Sequence, residues 1–221
     1  MIKMYELHSH TTYSDGVLIP SESARRAFMD GYAGLAFTDH ADESNYMNIL
    51  ENQLRFKTEF NSLSKDFKVI VGVEITHVRP SLIGKLTEKV REAGADIVVV
   101  HGETITEPVE EGTNMAAVEA GVDVLAHPGL ITDDVVRKGV ENGVHFEVTT
   151  RKGHSITNGH VVKKVLEFNG ELVINNDYHS PGDRVSAEMA IKVLAGAGLS
   201  DIEIKKVLDN NKKIFLRSLE G

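Results

Sequence analysis

Ten histidines stand in a chain of 221 residues that has no cysteine and no tryptophan. Several of them sit in compact polar signatures: His8-Ser9-His10, Asp39-His40, His127-Pro128-Gly129 and Asp177-Tyr178-His179. With thiolates absent, any metal must be held by nitrogen and oxygen. Imidazole at about 2.0–2.1 Å and carboxylate at about 2.0–2.2 Å suit Zn²⁺, and the same donors serve Mn²⁺ or Fe. Residues two apart on a strand share a face at a spacing of roughly 6.6 Å, so His8 with His10, and Asp177 with His179, can converge on neighbouring ions. Adding Asp15, His40, Glu74, His101 and His127 brings the candidate ligands to nine, more than one ion can use, and two or three divalent ions are expected. Taken singly, each signature has a plainer explanation: a surface His pair, a helix cap, a turn, or an ion-pair partner for Glu74. Together they would bury many ionisable groups at one place, which is costly without compensating cations.

The elements that must position these residues follow from hydrophobic pattern. Short apolar runs rich in Val and Ile recur at 4–7, 34–37, 69–73, 96–100, 122–126, 144–148 and 172–175. Between them lie stretches with apolar spacing of three and four, such as Leu82, Leu86, Val90 and Ala93, or Val161, Val165 and Leu166. Pro20-Ser21-Glu22 and Thr113-Asn114 are helix starts, and Gly31, Gly94, Gly121, Gly143 and Gly170 are helix ends. This sevenfold alternation predicts an α/β protein with a parallel sheet covered on both faces. No GxGxxG or GxxxxGK[ST] follows the first strand, so a closed barrel is favoured over a nucleotide-binding open sheet, with its site at the strands' C-terminal ends. Every candidate ligand follows one of the predicted strands, and only the sixth contributes none. Nothing reads as a linker, and one domain over 1–221 is expected.

The charge balance of 24 basic and 33 acidic residues, net −9, argues against long-range attraction to duplex nucleic acid or anionic membranes, leaving nucleic acid only as a substrate. Neither a signal-peptide apolar stretch at the N-terminus nor a run approaching the roughly 20 residues of a membrane span is present. A cytoplasmic protein with no membrane partner is expected; oligomeric state is not legible.

HSHTTYSDG, FTDH, GVE, VVHGE, LAHPG and NNDYHS occur in this order across almost the whole chain, and the series resembles the PHP superfamily, named for polymerase and histidinol phosphatase domains. EVTTRKGHSITNGH and EGTNMAA are similar to its short, stand-alone, histidinol-phosphatase-like branch. The resemblance implies a distorted seven-stranded (β/α)7 TIM-like barrel and a trinuclear metal centre. It implies that His8, His10, Glu74 and Asp177 hold one ion, that Asp15, His40 and His179 hold a second, and that Glu74, His101 and His127 hold a third, with Glu74 bridging. Asp15 stands where other members carry histidine. Relatives of the same fold that lack ligands, among them a ribonuclease P subunit, differ from this chain, which has a residue of ligand type at all nine positions.

Three divalent ions, three carboxylates and one bridging hydroxide leave a core of about +2, which a phosphomonoester dianion neutralises. The expected reaction is metal-assisted attack of hydroxide on phosphorus in a small phosphorylated substrate, histidinol phosphate being one candidate. A nucleotide phosphatase or an exonuclease on nucleic-acid ends is the near alternative, although six per cent aromatics offer little for base stacking. An amidohydrolase-type barrel would leave Asp15, His40 and His179 surplus, and a non-catalytic subunit would not need the full set. Arg151 and Lys152, after the sixth strand, and Arg184, after the seventh, are candidate phosphate contacts. His154 and His77 are candidates for binding substrate or donating a proton. His145 and His160 read as a strand-start and a helix-surface residue. Glu103 either orients His101 or sits on the loop, and the segment 41–65 is a loop and helix whose Tyr46, Met47 and Leu50 either close over the pocket or pack ordinarily.

Overall fold

A computed structural model describes residues 3–220; the ends of the predicted 1–221 span lie outside the described residues. Seven parallel strands occur in sequence order around one sheet: β1 (Met4–Glu6), β2 (Tyr32–Ala41), β3 (Lys68–Ile75), β4 (Ile97–His101), β5 (Val124–Ala126), β6 (His145–Thr149) and β7 (Glu171–Asn175). Helices α1 (Pro20–Met29), α2 (Tyr46–Leu63), α3 (Pro80–Glu92), α4 (Thr113–Glu119), α5 (Asp133–Glu141) and α6 (Asn158–Glu167) form the crossovers. Two more, α7 (Ala187–Gly196) and α8 (Asp201–Glu220), follow the last strand. The result is a nearly closed α/β TIM-like barrel, as the alternating pattern predicts.

The apolar runs are continuous because the two faces of each strand meet different partners. Leu35, Phe37, Val71, Val73, Val98, Val100, Phe146 and Val148 pack under the surrounding helices. The alternate residues Leu7, Ala36, Ile70, Ile97, Val99, Val124, Ala126 and Val173 form a second cluster inside the barrel. Its base is sealed by Ile214 and Phe215 of α8, an element the sevenfold pattern does not anticipate. Arg217 pairs with Asp123 at 2.8 Å and Ser218 donates to the Asp96 carbonyl at 3.0 Å, which ties α8 to the N-terminal ends of β5 and β4. At Gly34 a Cβ would lie 2.3 Å from the Phe215 ring, so the plug needs glycine at that position.

The ladder is missing where β7 meets β1, apart from a bridge between Ser9 and Tyr178. Side chains take its place. Asn175 Oδ1 accepts from Leu7 N at 3.1 Å, and the Glu6 carboxylate accepts from His8 N and Asn176 N, both at 3.1 Å. Asn211 of α8 donates to the carbonyls of Tyr5 and Ile174 at 3.0 and 2.7 Å. Buried backbone groups are thereby paired without strand pairing.

The structure gives two local readings their physical form. At the end of α6 the left-handed residue is Asn169 (φ 55°) rather than Gly170; an asparagine tolerates that conformation, and Gly170 packs closely on Val165 instead. In α2, Ile49, Leu50 and Gln53 face the barrel wall and Met47 is exposed, so the helix packs ordinarily and does not cover the mouth.

Candidate metal centre

The inward-facing positions that are apolar near the base become polar at the rim. Along β3 the inward series runs Ile70, Gly72, Glu74; along β4 it ends at His101; along β2 it ends at His40, which is in register with Glu74. His127 and Asp177 lie just beyond β5 and β7 with φ of 26° and 48°. Non-glycine residues in this region are uncommon and mark over-determined sites.

The side chains converge. His8 Nε2 is 3.3 Å from Glu74 Oε1 and 3.6 Å from Asp177 Oδ1; His10 Nε2 is 3.2 Å from Asp177 Oδ1 and 3.6 Å from Glu74 Oε2. His127 Nε2 is 3.6 Å from both carboxylates. Beside them Asp15 Oδ1 is 3.2 Å from His179 Nε2 and 3.6 Å from His40 Nε2. His101, His127 and His154 make a further group. Most of these gaps are long for hydrogen bonds, whereas two donors of one tetrahedral ion stand about 3.3 Å apart by the bond lengths above. His8 Nε2, both ring nitrogens of His10, both Glu74 oxygens, His127 Nδ1 and Asp177 Oδ1 are buried without any hydrogen-bond partner. Such atoms are rare in native interiors unless an ion or water completes them, so the donor set fits divalent metal.

The electrostatics agree. Burial alone would raise Glu74, yet His8, His40 and His101 hold its carboxyl well below the usual range. Burial likewise opposes ionisation of Asp15, which His179 and His40 bring down to about 2. Burial lowers His10 to about 3, with the neighbouring His40 adding to the effect. Ionised carboxylates and neutral imidazole are the forms that bind metal; against burial, the same carboxylates raise His8, His40 and His101, so metal binding there releases protons.

A cavity of about 260 Å³ opens over this cluster, lined by Asp15, His40, His101, Asp177 and His179 together with His77, Glu107, Arg151 and His154. Arg151 is held there: its Nη1 donates to the Asp177 carbonyl at 3.0 Å and lies 3.4 Å from Asp183. His154 Nδ1 is 2.7 Å from the Thr104 hydroxyl and its Nε2 is 3.4 Å from Glu107. Burial, with His127 beside it, lowers His154 to about 4. Lys152 is exposed and outside the cavity lining. Arg184 does not reach the mouth: it turns back to pair with Asp30 at 2.6 Å and to cover the Tyr178 ring at 4.5 Å, because the 180–186 loop folds over the seam. Glu103 does not touch His101; its carboxylate accepts from Gly112 N and Asn114 N at the start of α4. His160 Nε2 reaches the Ile131 carbonyl, and His145 starts β6.

Two carboxylates escape the sequence reading. Glu107 lies 3.1 Å from His101 Nε2 and 3.6 Å from His77 Nε2; it sits in a loop among other acids, and no periodicity singles it out. Glu147, on β6, accepts from His8 Nδ1 at 2.8 Å and from Asn175 Nδ2 at 2.9 Å. A charged residue inside the apolar strand HFEVT is the signal that could have found it.

Comparison with known proteins gives a match to the PHP domain over residues 6–215. The chain belongs to the PHP family. An uncharacterised protein of Methanocaldococcus jannaschii is 44% identical over 216 residues, covering 97% of this chain and 99% of the relative. The DNA polymerase/3'-5' exonuclease PolX of Bacillus subtilis is 22% identical over 197 residues, which are 79% of this PHP chain but 34% of PolX. Among solved structures, the histidinol phosphate phosphatase of Lactococcus lactis subsp. lactis, complexed with zinc, L-histidinol and phosphate, superposes with a TM-score of 0.59 at 14% identity over 97% of this chain and 94% of its own. Among the described residues no helix is long and apolar enough to cross a membrane.

Proposed function

We propose that this PHP protein is a metal-dependent phosphoesterase acting on a small phosphomonoester. The observation that carries the reading is the convergence of four donor groups linked through His8, His10 and His127, two of them built on Glu74 and Asp177, with buried donor atoms at their centre unpaired. His8, His10, Glu74 and Asp177 would hold one ion, Asp15, His40 and His179 a second, and Glu74, His101 and His127 a third. Bound ions supply Lewis-acid polarisation of the phosphoryl group and an activated water as nucleophile.

The chain's own residues complete the site. Arg151 presents a guanidinium beside Asp177, a planar donor fork matched to phosphoryl oxygens. The Thr104 hydroxyl fixes the His154 ring, so that Nε2 faces the cavity from a neutral imidazole able to bind a substrate oxygen. Asp183 receives from His179 N and Ser180 N at 3.1 and 2.8 Å and so fixes the loop carrying His179. The full Asp15, His40 and His179 group supports this reading over an amidohydrolase, which would leave it idle. The Lactococcus structure, with its L-histidinol and phosphate, supports histidinol phosphate as one substrate to test, and the PolX name supports nucleotides and nucleic-acid ends as another.

The test is elemental analysis of protein purified without chelator, together with phosphate release from histidinol phosphate, nucleoside phosphates and short oligonucleotides. Two to three ions per chain and release from at least one substrate are expected, and His8→Ala and Asp177→Ala should lose metal and activity together. Full activity in either variant sinks the proposal.

A further inference from the structure

Glu107 sits in the loop between β4 and α4, and the loop is fixed on both sides of it. At the base the Glu103 carboxylate accepts from Gly112 N and Asn114 N at 3.0 and 2.8 Å. Ahead of Glu107 the hydroxyls of Thr104 and Thr106 lie 2.7 and 3.0 Å from His154 Nδ1, and behind it Val109 N donates to the Glu107 carbonyl at 2.9 Å. The Glu107 side chain lines the cavity over the cluster, whereas Glu110 and Glu111 of the same loop do not.

Three imidazoles meet this one carboxylate. Oε2 is 3.1 Å from His101 Nε2 and 3.6 Å from His77 Nε2, and Oε1 is 3.4 Å from His154 Nε2. Among the described residues no other carboxylate, Glu74 included, comes within ion-pair distance of His101. His101 Nδ1 lies 3.2 Å from the Gly102 carbonyl oxygen. A carbonyl only accepts, so Nδ1 carries the ring hydrogen, and the lone pair of the neutral ring is on Nε2, facing a carboxylate oxygen that also only accepts. A proton or a metal ion must stand between them. Protons on all three rings would crowd like charges together, the His101 ring centroid being 5.3 Å from that of His77 and 6.1 Å from that of His154. One divalent ion serves His101 and Glu107 with every imidazole neutral. It also offsets a negative charge that would otherwise repel a phosphoryl dianion entering beside Arg151.

We propose that Glu107 is a tenth metal ligand: it completes, from the loop after β4, the shell of the ion that His101 and His127 hold. The proposal rests on the metal centre of the phosphoesterase reading but not on the reaction assigned to that centre.

The experiment strips ions from the loaded protein with a chelator of known affinity and counts those retained by elemental analysis. It compares wild type with Glu107→Gln, Glu107→Ala and Glu110→Gln, the last removing the same charge from the same loop outside the cavity lining. Loading with Co²⁺ in parallel reads the coordination shell through its visible absorption. In both Glu107 variants one ion should leave at a chelator concentration at least about tenfold lower than in wild type, with the other ions held as before and the Co²⁺ spectrum changed, while Glu110→Gln matches wild type. Glu107→Gln keeps the shape of the side chain and decides the matter if Glu107→Ala does not fold. Retention and spectra in Glu107→Gln equal to those of wild type overturn the proposal, and so does an equal loss in Glu110→Gln, which assigns the effect to loop charge. A wild type that holds no ion overturns it together with the phosphoesterase. Loss of one ion in Glu107→Gln, in a protein that releases phosphate from no substrate, keeps the ligand and removes the phosphoesterase; phosphate release with unchanged retention does the reverse.

Discussion

Replacing Glu147 with glutamine tests how the centre is built, because this carboxylate does not line the cavity over the cluster and meets the candidate ligands through His8. Its Oε2 lies 2.8 Å from His8 Nδ1 and both side chains are fully buried. Acceptance at Nδ1 fixes the tautomer that leaves Nε2 free toward Glu74 and Asp177. Burial opposes a charge on His8, but Glu74, Glu147 and Asp177 together raise its pKa, so the carboxylate also makes the ring a stronger donor to metal. Partners of this kind contribute about 10–100-fold to metal affinity, or about 1.4–2.8 kcal/mol. Glu147→Gln keeps the shape and one acceptor oxygen while removing the charge, so it should lose affinity for one ion by that factor with a native unfolding midpoint. Glu147→Ala should add a stability loss, since His8 Nδ1 and Asn175 Nδ2 would each be left without an acceptor at about 1–3 kcal/mol. Metal affinity is read by competition with a chelator of known affinity, and stability by urea denaturation of the metal-free protein. Wild-type affinity and activity in Glu147→Gln would refute the reasoning.

Phe215→Ala empties the plug at the barrel base and should destabilise by about 3–5 kcal/mol with metal stoichiometry unchanged in the folded fraction; a loss under about 1 kcal/mol in urea denaturation would show that α8 is not part of the core. Glu6 is raised by burial from 4.5 to about 7, against the lowering effect of Asn176, so the folded state keeps a proton there that the unfolded chain has released. Its contribution is present below pH about 4.5 and lost as pH rises through about 7, up to roughly 3 kcal/mol over that window; the stability of wild type relative to Glu6→Gln should fall across it, and a difference that stays flat from pH 5 to 8 contradicts the assignment.

The residues most visible in the sequence were those whose neighbours in the chain carry the signal. His8 and His10 are two apart on one strand end, and Glu74 and His101 each end an apolar run, so strand periodicity alone places them at the rim. His154 was legible as a site residue but not as a partner of His101 and His127, because that grouping depends on how the loop after β6 folds toward β4. Arg184 went the other way: it follows β7 as a rim residue should, but Asp30 and the Tyr178 ring, remote or adjacent in sequence, draw it off. Helix α8 lies outside the strand–helix alternation on which the sequence reading rests, and only the tertiary structure shows that Phe215 reaches Gly34.

The seam and the site are two aspects of one arrangement. Between β1 and β7 main-chain pairing is reduced to Ser9 and Tyr178, and the same two segments deliver His8, His10, Asp177 and His179 to the cluster. Continuing the parallel ladder there would hold both segments in regular strand geometry, whereas Asp177 sits at φ 48° and turns its carboxylate toward both histidines. The pairing given up is replaced by Glu6, Asn175, Asn176 and Asn211, whose side chains can meet backbone groups at irregular spacing. Glu147 joins the two, bonding seam residue Asn175 and the candidate ligand His8 through one oxygen. A substitution in the seam is therefore expected to reach the metal centre through Asn175 and Glu147, before it weakens the barrel as a whole.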